Sequence, residues 1–388
     1  MFAQRLKQLR LAHGYSLEDL SAAMGGFVTK QALSKYENGK NTPSPAVITK
    51  IATVLGIKAM HLFAPAELQV RFIAYRKRSG LPKKDQELIK NYVAIALEER
   101  VRLQDIAGPP NHLSLPVQEF PIDSLDDAEE AAGRLRTNWD LGVDPIACVT
   151  DVLEDRRIHV LEIEAHEKFD GIACAATDET DRTQAAAVVI RRGVPGERQR
   201  LNIAHELGHL VMRASTNVDE EKAAFRFAGA FLAPAKEVYR EVGAHRVFFR
   251  PEELFLLKTR FGMSIQALLF RFRDLSIIGN TYYRNWCMDI NRMGWRKQEP
   301  CPIPPERPQW LRRTTLRAYS EGFLSLEETE RTLGERFDAK LPAASVERKA
   351  FMKLPPELFR SKALAQHVQS AVQTAVPSVG KAETWPPM

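Results

Sequence analysis

Residues 200–212 have the sequence Arg-Leu-Asn-Ile-Ala-His-Glu-Leu-Gly-His-Leu-Val-Met, which contains the pattern His-Glu-x-x-His within a run of helical periodicity. Histidines four positions apart on a helix point to the same side, so His205 and His209 can reach one metal ion. Glu206 can then hold a metal-bound water and accept its proton. The pattern indicates a zinc hydrolase, most simply a peptidase.

A third metal ligand is predicted in the segment that follows, at Glu221. A catalytic zinc site needs three protein ligands and one open position. Downstream, an apolar stripe at helical spacing comprises Ala224, Phe227, Ala228, Phe231 and Leu232. Glu221 lies three residues before this stripe on the same face, where a carboxylate needs a partner that a metal can supply. Asp219 and Glu220 point elsewhere and suit the N-terminal turn of the helix.

These two segments resemble the ImmA/IrrE family of metallopeptidases. The matching residues are Ala204 to His209 and the pattern from Glu221 through Phe231-Leu232 to Pro234, with weaker matches across residues 125–335. The resemblance implies a zincin-like domain that binds Zn2+. It also implies that His205, His209 and Glu221 are the zinc ligands and that Glu206 is the catalytic base.

The elements around the motif are predicted from periodicity and turn residues. Helices are expected over Leu125–Trp139 and Pro145–Asp155, and strands over 158–163, 171–175 and 185–190. A helix pair around Gly262, with Ser264 as a cap, could form a second helix-turn-helix, but packing inside the peptidase domain is favoured.

Some polar residues near the motif have no assigned role. The residue that stabilises the oxyanion is left open among His245, Tyr239 and Arg226. His159 and His166 are expected at surface or core positions rather than on a metal.

The first 65 residues predict a compact domain of short helices. Ser16 caps one helix with Asp19 in a capping box, and a glycine turn separates it from the next helix, which Thr29 caps. The segments Ser16–Leu20 and Gln31–Gly39 resemble the XRE/lambda-repressor family of DNA-binding domains. The resemblance places Lys30, Gln31, Ser34 and Lys35 at the exposed start of the recognition helix, where such side chains can contact base edges of double-stranded DNA.

Charge and cysteine usage agree with this organisation. Residues 1–65 hold eight Lys/Arg against three Asp/Glu, whereas residues 111–200 hold ten against nineteen. A small basic block suits a nucleic-acid contact, although a solvent-exposed surface with no binding role is the simpler alternative. The four scattered cysteines form no CxxC pair, so neither a zinc ribbon nor a disulfide framework is indicated. No apolar run is long enough for a membrane span and no signal-peptide core is found, so a cytoplasmic location is expected.

The chain is therefore predicted to be an α+β protein, with an all-α helix-turn-helix domain before a mainly helical metallopeptidase domain that has a small β-sheet. The predicted divisions are a DNA-binding domain 1–65, a helical linker 66–110, a peptidase domain 111–300, a helical extension 301–376 after a proline-rich stretch, and a disordered tail 377–388.

The favoured function is a DNA-binding transcriptional regulator with a zinc endopeptidase domain. Family resemblance implies that its substrate is a regulatory protein such as a repressor, cut under stress or in mobile-element control. The alternative is a repressor or antitoxin-like protein whose metallopeptidase fold is a sensor or dimerisation module. A zinc-stabilised structural domain is a weaker third hypothesis, and homodimer formation is left open.

Overall fold

The computed structural model of the chain describes residues 2–64, 68–73, 82–107, 115–167 and 169–337. The predicted α+β class is confirmed, because helices dominate and the described residues include a four-stranded and a two-stranded sheet. The predicted tail 377–388 lies outside these residues, as does the part of the predicted helical extension from residue 338 to 376. No helix among the described residues has both the length and the apolarity needed to span a membrane.

The N-terminal helices form as the capping residues predict. They are α1 (Phe2–Ala12), α2 (Leu17–Ala23), α3 (Lys30–Glu37), α4 (Pro45–Val54) and a 3₁₀ turn (Ala59–Leu62). Ser16 and Asp19 complete a reciprocal capping box on α2, and the Thr29 side chain accepts from the backbone N–H of Ala32 on α3. Buried leucines and isoleucines of these helices make a separate small core.

A four-stranded sheet follows, built from strands that are distant in sequence. The elements up to it are β1 (Gln69–Ile73), α5 (Lys83–Ala107), β2 (Phe120–Ile122), α6 (Leu125–Asn138), α7 (Val149–Glu154), β3 (Ile158–Ile163), β4 (Gly171–Thr177) and β5 (Thr183–Arg191). The order is β1-β4-β5-β3, with β4 antiparallel to β1 and β5, and β5 parallel to β3. The three strands predicted from the sequence are confirmed. Residues 69–73, inside the predicted linker, supply the edge strand β1, and α5 packs on the sheet.

Helices cover the other face of this sheet. They and a short strand are α8 (Gly196–Val211), β6 (Met212–Ala214), α9 (Glu220–Leu232), α10 (Ala235–Val242), α11 (Pro251–Phe261), α12 (Ile265–Asp274) and α13 (Asn280–Arg292). Helix α8 lies centrally, against β4 and β5 on one side and α9 on the other. Leu268, Leu269 and Phe272 of α12 are buried in the largest core, which confirms the predicted packing role of the helix pair around Gly262.

The proline-rich stretch, called here the strap (residues 300–308), extends along the start of α8. The backbone N–H of Gly196 donates to Ile303 O at 3.1 Å, and the backbone N–H of Glu306 donates to Gln199 Oε1 at 2.6 Å. A Cβ at Gly196 would lie 2.4 Å from the carbonyl oxygens of Ile303 and Pro304, so only glycine admits this approach. The strap thereby fixes the first turn of the helix that carries the His-Glu-x-x-His pattern.

The chain divides into two compact units. Among the described residues, the first holds those up to Asp105 and from 115 to 314, and the second holds 106–107 and 315–337. Helix α14 (Trp310–Ser320) begins in the first unit and ends in the second, and α15 (Leu326–Leu333) lies in the second. In α15 a capping box between Ser325 and Glu328 and a left-handed Gly334 mark the two ends.

Helix α7 is shorter than the predicted Pro145–Asp155 because the residues of its expected first turn bind a side chain instead of forming a helix. The carbonyl oxygens of Ile146 and Ala147 accept hydrogen bonds from the Arg200 guanidinium at 2.6 and 3.0 Å. These carbonyls point at a buried cation rather than along a helix axis, so α7 begins only at Val149.

Candidate metal centre

Two packed helices bring the three predicted ligands together. His205 and His209 lie on α8, and Glu221 lies in the first turn of α9. Gly208 makes the close approach possible, because a Cβ there would lie 3.0 Å from the Phe227 ring and 3.4 Å from the Ala224 Cα. A larger residue at position 208 would push α9, and with it Glu221, away from the histidines.

The distances among the three side chains fit one metal ion. His205 Nε2 lies 3.1 Å from His209 Nε2 and 3.4 Å from a Glu221 carboxylate oxygen, and His209 Nε2 lies 3.5 Å from the other oxygen. A tetrahedral ion with bonds of about 2.0–2.1 Å has ligand–ligand edges of about 3.3–3.4 Å. Two imidazole nitrogens and one carboxylate form a donor set typical of catalytic metal sites. Among the described residues, these three are the His, Cys, Asp or Glu side chains that lie close enough together to share a metal ion.

Glu206 lies beside this group and is nearly fully buried, with a relative exposure of 4%. The backbone of β4 passes directly over it: a Cβ at Gly171 would lie 2.7 Å from Glu206 Cγ and Oε1. Glycine at position 171 therefore leaves the space that the Glu206 carboxylate occupies.

A cavity of about 800 Å³ opens next to His205 and Glu206. Its walls include residues from α8, α9, α12 and α13 and from the turn that follows α13. A volume of this size is typical of a binding cleft. The arrangement places the His205 side chain and the Glu206 carboxylate at the surface of a space that can admit another molecule.

Buried ion pairs hold α8 in its orientation. Lys258, with no exposed side-chain surface, donates to Glu197 at 2.7 Å and to Glu299 at 2.8 Å. Arg200 pairs with Glu306, whose carboxylate also accepts from the backbone N–H groups that begin α7. These contacts join α8 to α11, to α7 and to the strap, so the histidines sit on a fixed scaffold.

None of the three residues considered for the oxyanion lines this cavity. Arg226 pairs with Glu129 at 2.8 Å, and the Tyr239 hydroxyl donates to the Leu275 carbonyl at 3.0 Å. His245 lines a separate surface pocket.

Sequence reasoning missed two polar residues that do line the cavity, Asn202 and Tyr283. Asn202 was detectable, since it precedes His205 by three residues on the same helix face. Tyr283 was not, because no helix was predicted over the residues of α13. Burial, with hydrogen bonding to Cys287, raises the pKa of the Tyr283 phenol to about 12, so the phenol stays protonated and can donate.

The remaining histidines and cysteines take core or surface positions. His159 is fully buried on β3, where its ring meets Trp310 edge-on at 4.5 Å. Burial lowers the pKa of His159 well below its usual value, so the ring is neutral. His166 is exposed. All four cysteines are free.

The helix-turn-helix exposes three of the four residues predicted to face DNA. Lys30, Gln31 and Lys35 are exposed on α3, whereas Ser34 is half-buried. Lys30 makes one exposed contact to Glu18 at 3.1 Å, which is weak enough to yield to a phosphate or base. Between α2 and α3, Gly25 and Gly26 both have left-handed backbones, at φ +71° and +70°. A buried pair between Arg10 and Glu37 ties α1 to the recognition helix.

Comparisons with known proteins agree with both parts. Residues 6–62 match the helix-turn-helix family and residues 158–273 match the IrrE N-terminal-like domain family. The chain is 35% identical over 69 residues to the SPbeta prophage-derived uncharacterized HTH-type transcriptional regulator YonR of Bacillus subtilis (strain 168). It is 39% identical over 66 residues to the uncharacterized HTH-type transcriptional regulator RghRB of the same organism.

The matches cover 18% and 17% of this chain, and the chain spans 62% and 46% of the two relatives. No solved structure matches it. The chain therefore carries an XRE-type helix-turn-helix domain joined to a domain of the ImmA/IrrE family.

Proposed function

We propose that this protein is a DNA-binding transcriptional regulator whose second domain is a zinc-dependent endopeptidase acting on a regulatory protein such as a repressor. The observation that carries the proposal is the set of ligand distances of 3.1–3.5 Å among His205, His209 and Glu221. Glu206 lies next to this set at the wall of a cavity large enough for a peptide segment.

The roles of the residues follow from their positions. When held by His205, His209 and Glu221, zinc would polarise a peptide carbonyl and acidify a water molecule. Glu206 accepts the proton of the attacking water and passes it to the leaving amine. The buried position of Glu206 under Gly171 limits its rotation, so the carboxylate is already oriented toward the cavity.

The alternative hypotheses make less use of these residues. A sensor or dimerisation module has no chemical need for Glu206 at a cavity wall. A structural zinc site is usually closed by four protein ligands, often including cysteine. Here the described residues offer three ligands, and the cavity leaves the site accessible.

The helix-turn-helix supports a regulatory rather than a digestive role. A basic recognition helix would direct the protein to DNA. A substrate that the peptidase domain meets there would be another DNA-bound regulator. The substrate class is therefore proposed from the combination of the two domains. Lys30→Ala or Gln31→Ala should weaken operator binding and leave peptidase activity unchanged, whereas Lys236→Ala on α10 should leave both at the wild-type level. Salt-independent or absent DNA binding by wild-type protein would reject the regulatory part.

One experiment tests the peptidase. We expect about one zinc per chain, lost in His205→Ala, and we expect Glu206→Gln to keep the zinc and lose all cleavage. Glu130→Gln, an exposed carboxylate on α6, is the matched control and should behave as wild type. New N-termini that appear in the protein's own cell extract with wild type, and not with Glu206→Gln, would identify the substrate. Cleavage retained in Glu206→Gln would reject the assigned base, and zinc-free native protein would reject the mechanism.

A further inference from the structure

The cavity beside the metal centre has an aromatic wall that the proposed chemistry does not use. The Phe225 ring lies 4.3 Å from the His205 ring and is 44% exposed. Across the cavity, the rings of Phe270 and Tyr283 meet edge-on with centroids 5.9 Å apart, and Trp295 also lines the space. Exposed aromatic surface next to a ligand-type histidine is suited to receive an apolar side chain close to the scissile bond.

Most charged residues that line the same cavity are paired with a residue of opposite charge. The ion pairs are Asp170 with Arg198, Glu197 and Glu299 with Lys258, Arg271 with Glu129, and Asp274 with Arg273. In the Lys258 group two carboxylates share one ammonium, and Glu206 is a further carboxylate at the wall. The ion pairs hold the walls rather than select what enters.

Arg296 and Lys297 differ from the other cations of the wall, Arg198 and Arg271, because their side chains are not paired. Both line the cavity on the turn after α13 and both are exposed. Within the part of the chain that the structure describes, neither side chain has a hydrogen bond or an ion pair. Two adjacent cations without a carboxylate therefore lie at the mouth of a cleft whose wall is aromatic.

We propose that this cleft selects a peptide segment that combines a bulky apolar side chain with acidic neighbours. The apolar side chain packs on Phe225 and the facing aromatic rings, and the acidic side chains pair with Arg296 and Lys297. The proposal rests on the proposed peptidase function and names the substrate class of the same site. Because exposed ion pairs are individually weak, the two cations together should change affinity by about tenfold at low salt.

The test uses the full chain with the Glu206→Gln substitution, so that binding is measured without cleavage. Four fluorescent decapeptides serve as probes, with a central Leu or Ala and with Asp or Lys at the flanking positions. Fluorescence anisotropy should show the Leu peptide with Asp flanks binding about tenfold more tightly than the one with Lys flanks. Adding Arg296→Glu and Lys297→Glu should remove or invert this preference, and adding Phe225→Ala should remove the preference for Leu. Lys236→Glu, an exposed cation outside the cavity, is the matched control.

The outcomes are separable from those of the proposed function. Equal binding of Asp- and Lys-flanked peptides, binding of none, or a preference that survives the double charge reversal would overturn the proposal. If the binding preference is observed but wild-type protein with zinc cuts none of the peptides, the cleft assignment stands and the peptidase proposal fails.

A second observation concerns Asn202, one helical turn before His205. Its Nδ2 atom is buried and has no acceptor among the described residues, although the side chain lines the cavity. Asn202, His205 and His209 share one face of α8, with spacings of three and seven residues. Buried donors are rarely left without an acceptor. We infer that the Asn202 amide donates to a backbone carbonyl of the bound peptide and so positions it.

Two variants test this role, each in the Glu206→Gln chain. Asn202→Leu keeps the volume and removes the donor, and Asn202→Ala removes both. If Asn202 serves the peptide, both variants should bind the Leu peptide with Asp flanks more weakly, by about fivefold or more, while Asn202→Leu keeps or raises the melting temperature. Unchanged peptide binding in either variant would overturn the assignment, whatever the melting temperature of Asn202→Leu.

Discussion

Gly171→Ala should disable the proposed base without removing the metal. The added Cβ would lie 2.7 Å from Glu206 Cγ and Oε1, whereas ordinary contact begins near 3.4 Å. The backbone at position 171 is not left-handed, so alanine brings no conformational strain of its own. Glu206 must therefore move by about 0.7 Å or rotate away from the cavity.

A displacement of this size should lower kcat by about 10²-fold, and complete loss of the base would cost up to about 10⁴-fold. Overpacking should cost at most about 1–3 kcal/mol of the free energy of unfolding. His205, His209 and Glu221 are not contacted, so the zinc content should stay at the wild-type value.

The assay combines kcat on a cleaved peptide, zinc content and thermal unfolding. Gly133→Ala on α6 is the matched control, because a Cβ there meets nothing within 4 Å. It should keep wild-type kcat and gain about 0.5–1 kcal/mol from helix propensity. A Gly171→Ala protein with kcat within twofold of wild type would refute the role given to Glu206. Loss of zinc in this variant would instead show that the glycine supports the whole site.

Four further predictions follow from contacts in the structure. Gly208→Ala should separate α8 from α9 and lower zinc affinity by at least tenfold in a competition assay, and an unchanged affinity would contradict the packing argument. Lys258→Met leaves two buried carboxylates without their cation and should lower the free energy of unfolding by about 3–5 kcal/mol in urea titrations. Burial lowers the pKa of His159 in the folded state, so the unfolded chain binds the extra proton and the free energy of unfolding should fall as the pH drops below about 6.5. His159→Gln should reduce this dependence of stability on pH relative to wild type, and an equal dependence would contradict the prediction. Burial raises the pKa of Cys174 to about 12, so alkylation at pH 8 should modify exposed Cys301 and leave Cys174 unmodified until the chain unfolds.

Local patterns were sufficient for the elements that lie close together in the sequence. The capping box at Ser16, the strands at 158–163 and 185–190, and the helix carrying His205 all form where the sequence predicts them. Their signals are backbone preferences and apolar periodicity, which neighbouring residues fix within one or two turns. The same periodicity placed Glu221 on the apolar face of α9.

Long-range contacts explain what the sequence did not show. Strand β1 is recognisable only through its pairing with β4, more than 90 residues later in the chain. Helix α7 is shortened because Arg200 binds the carbonyls before it. The strap was recognisable in the sequence as a proline-rich stretch, but only its hydrogen bonds to α8 show that it holds the helix that carries His205 and His209.

The sequence by itself determined which side chains can make a metal site and on which helices they lie. Two histidines at i and i+4 and a glutamate on an apolar face follow from helix periodicity alone. Only the tertiary structure decided that the three ligand atoms lie 3.1–3.5 Å apart, because that depends on Gly208 allowing two helices to touch. It also decided what surrounds them: the cleft with Asn202, its aromatic wall and its two unpaired cations is assembled from segments that no local pattern connects.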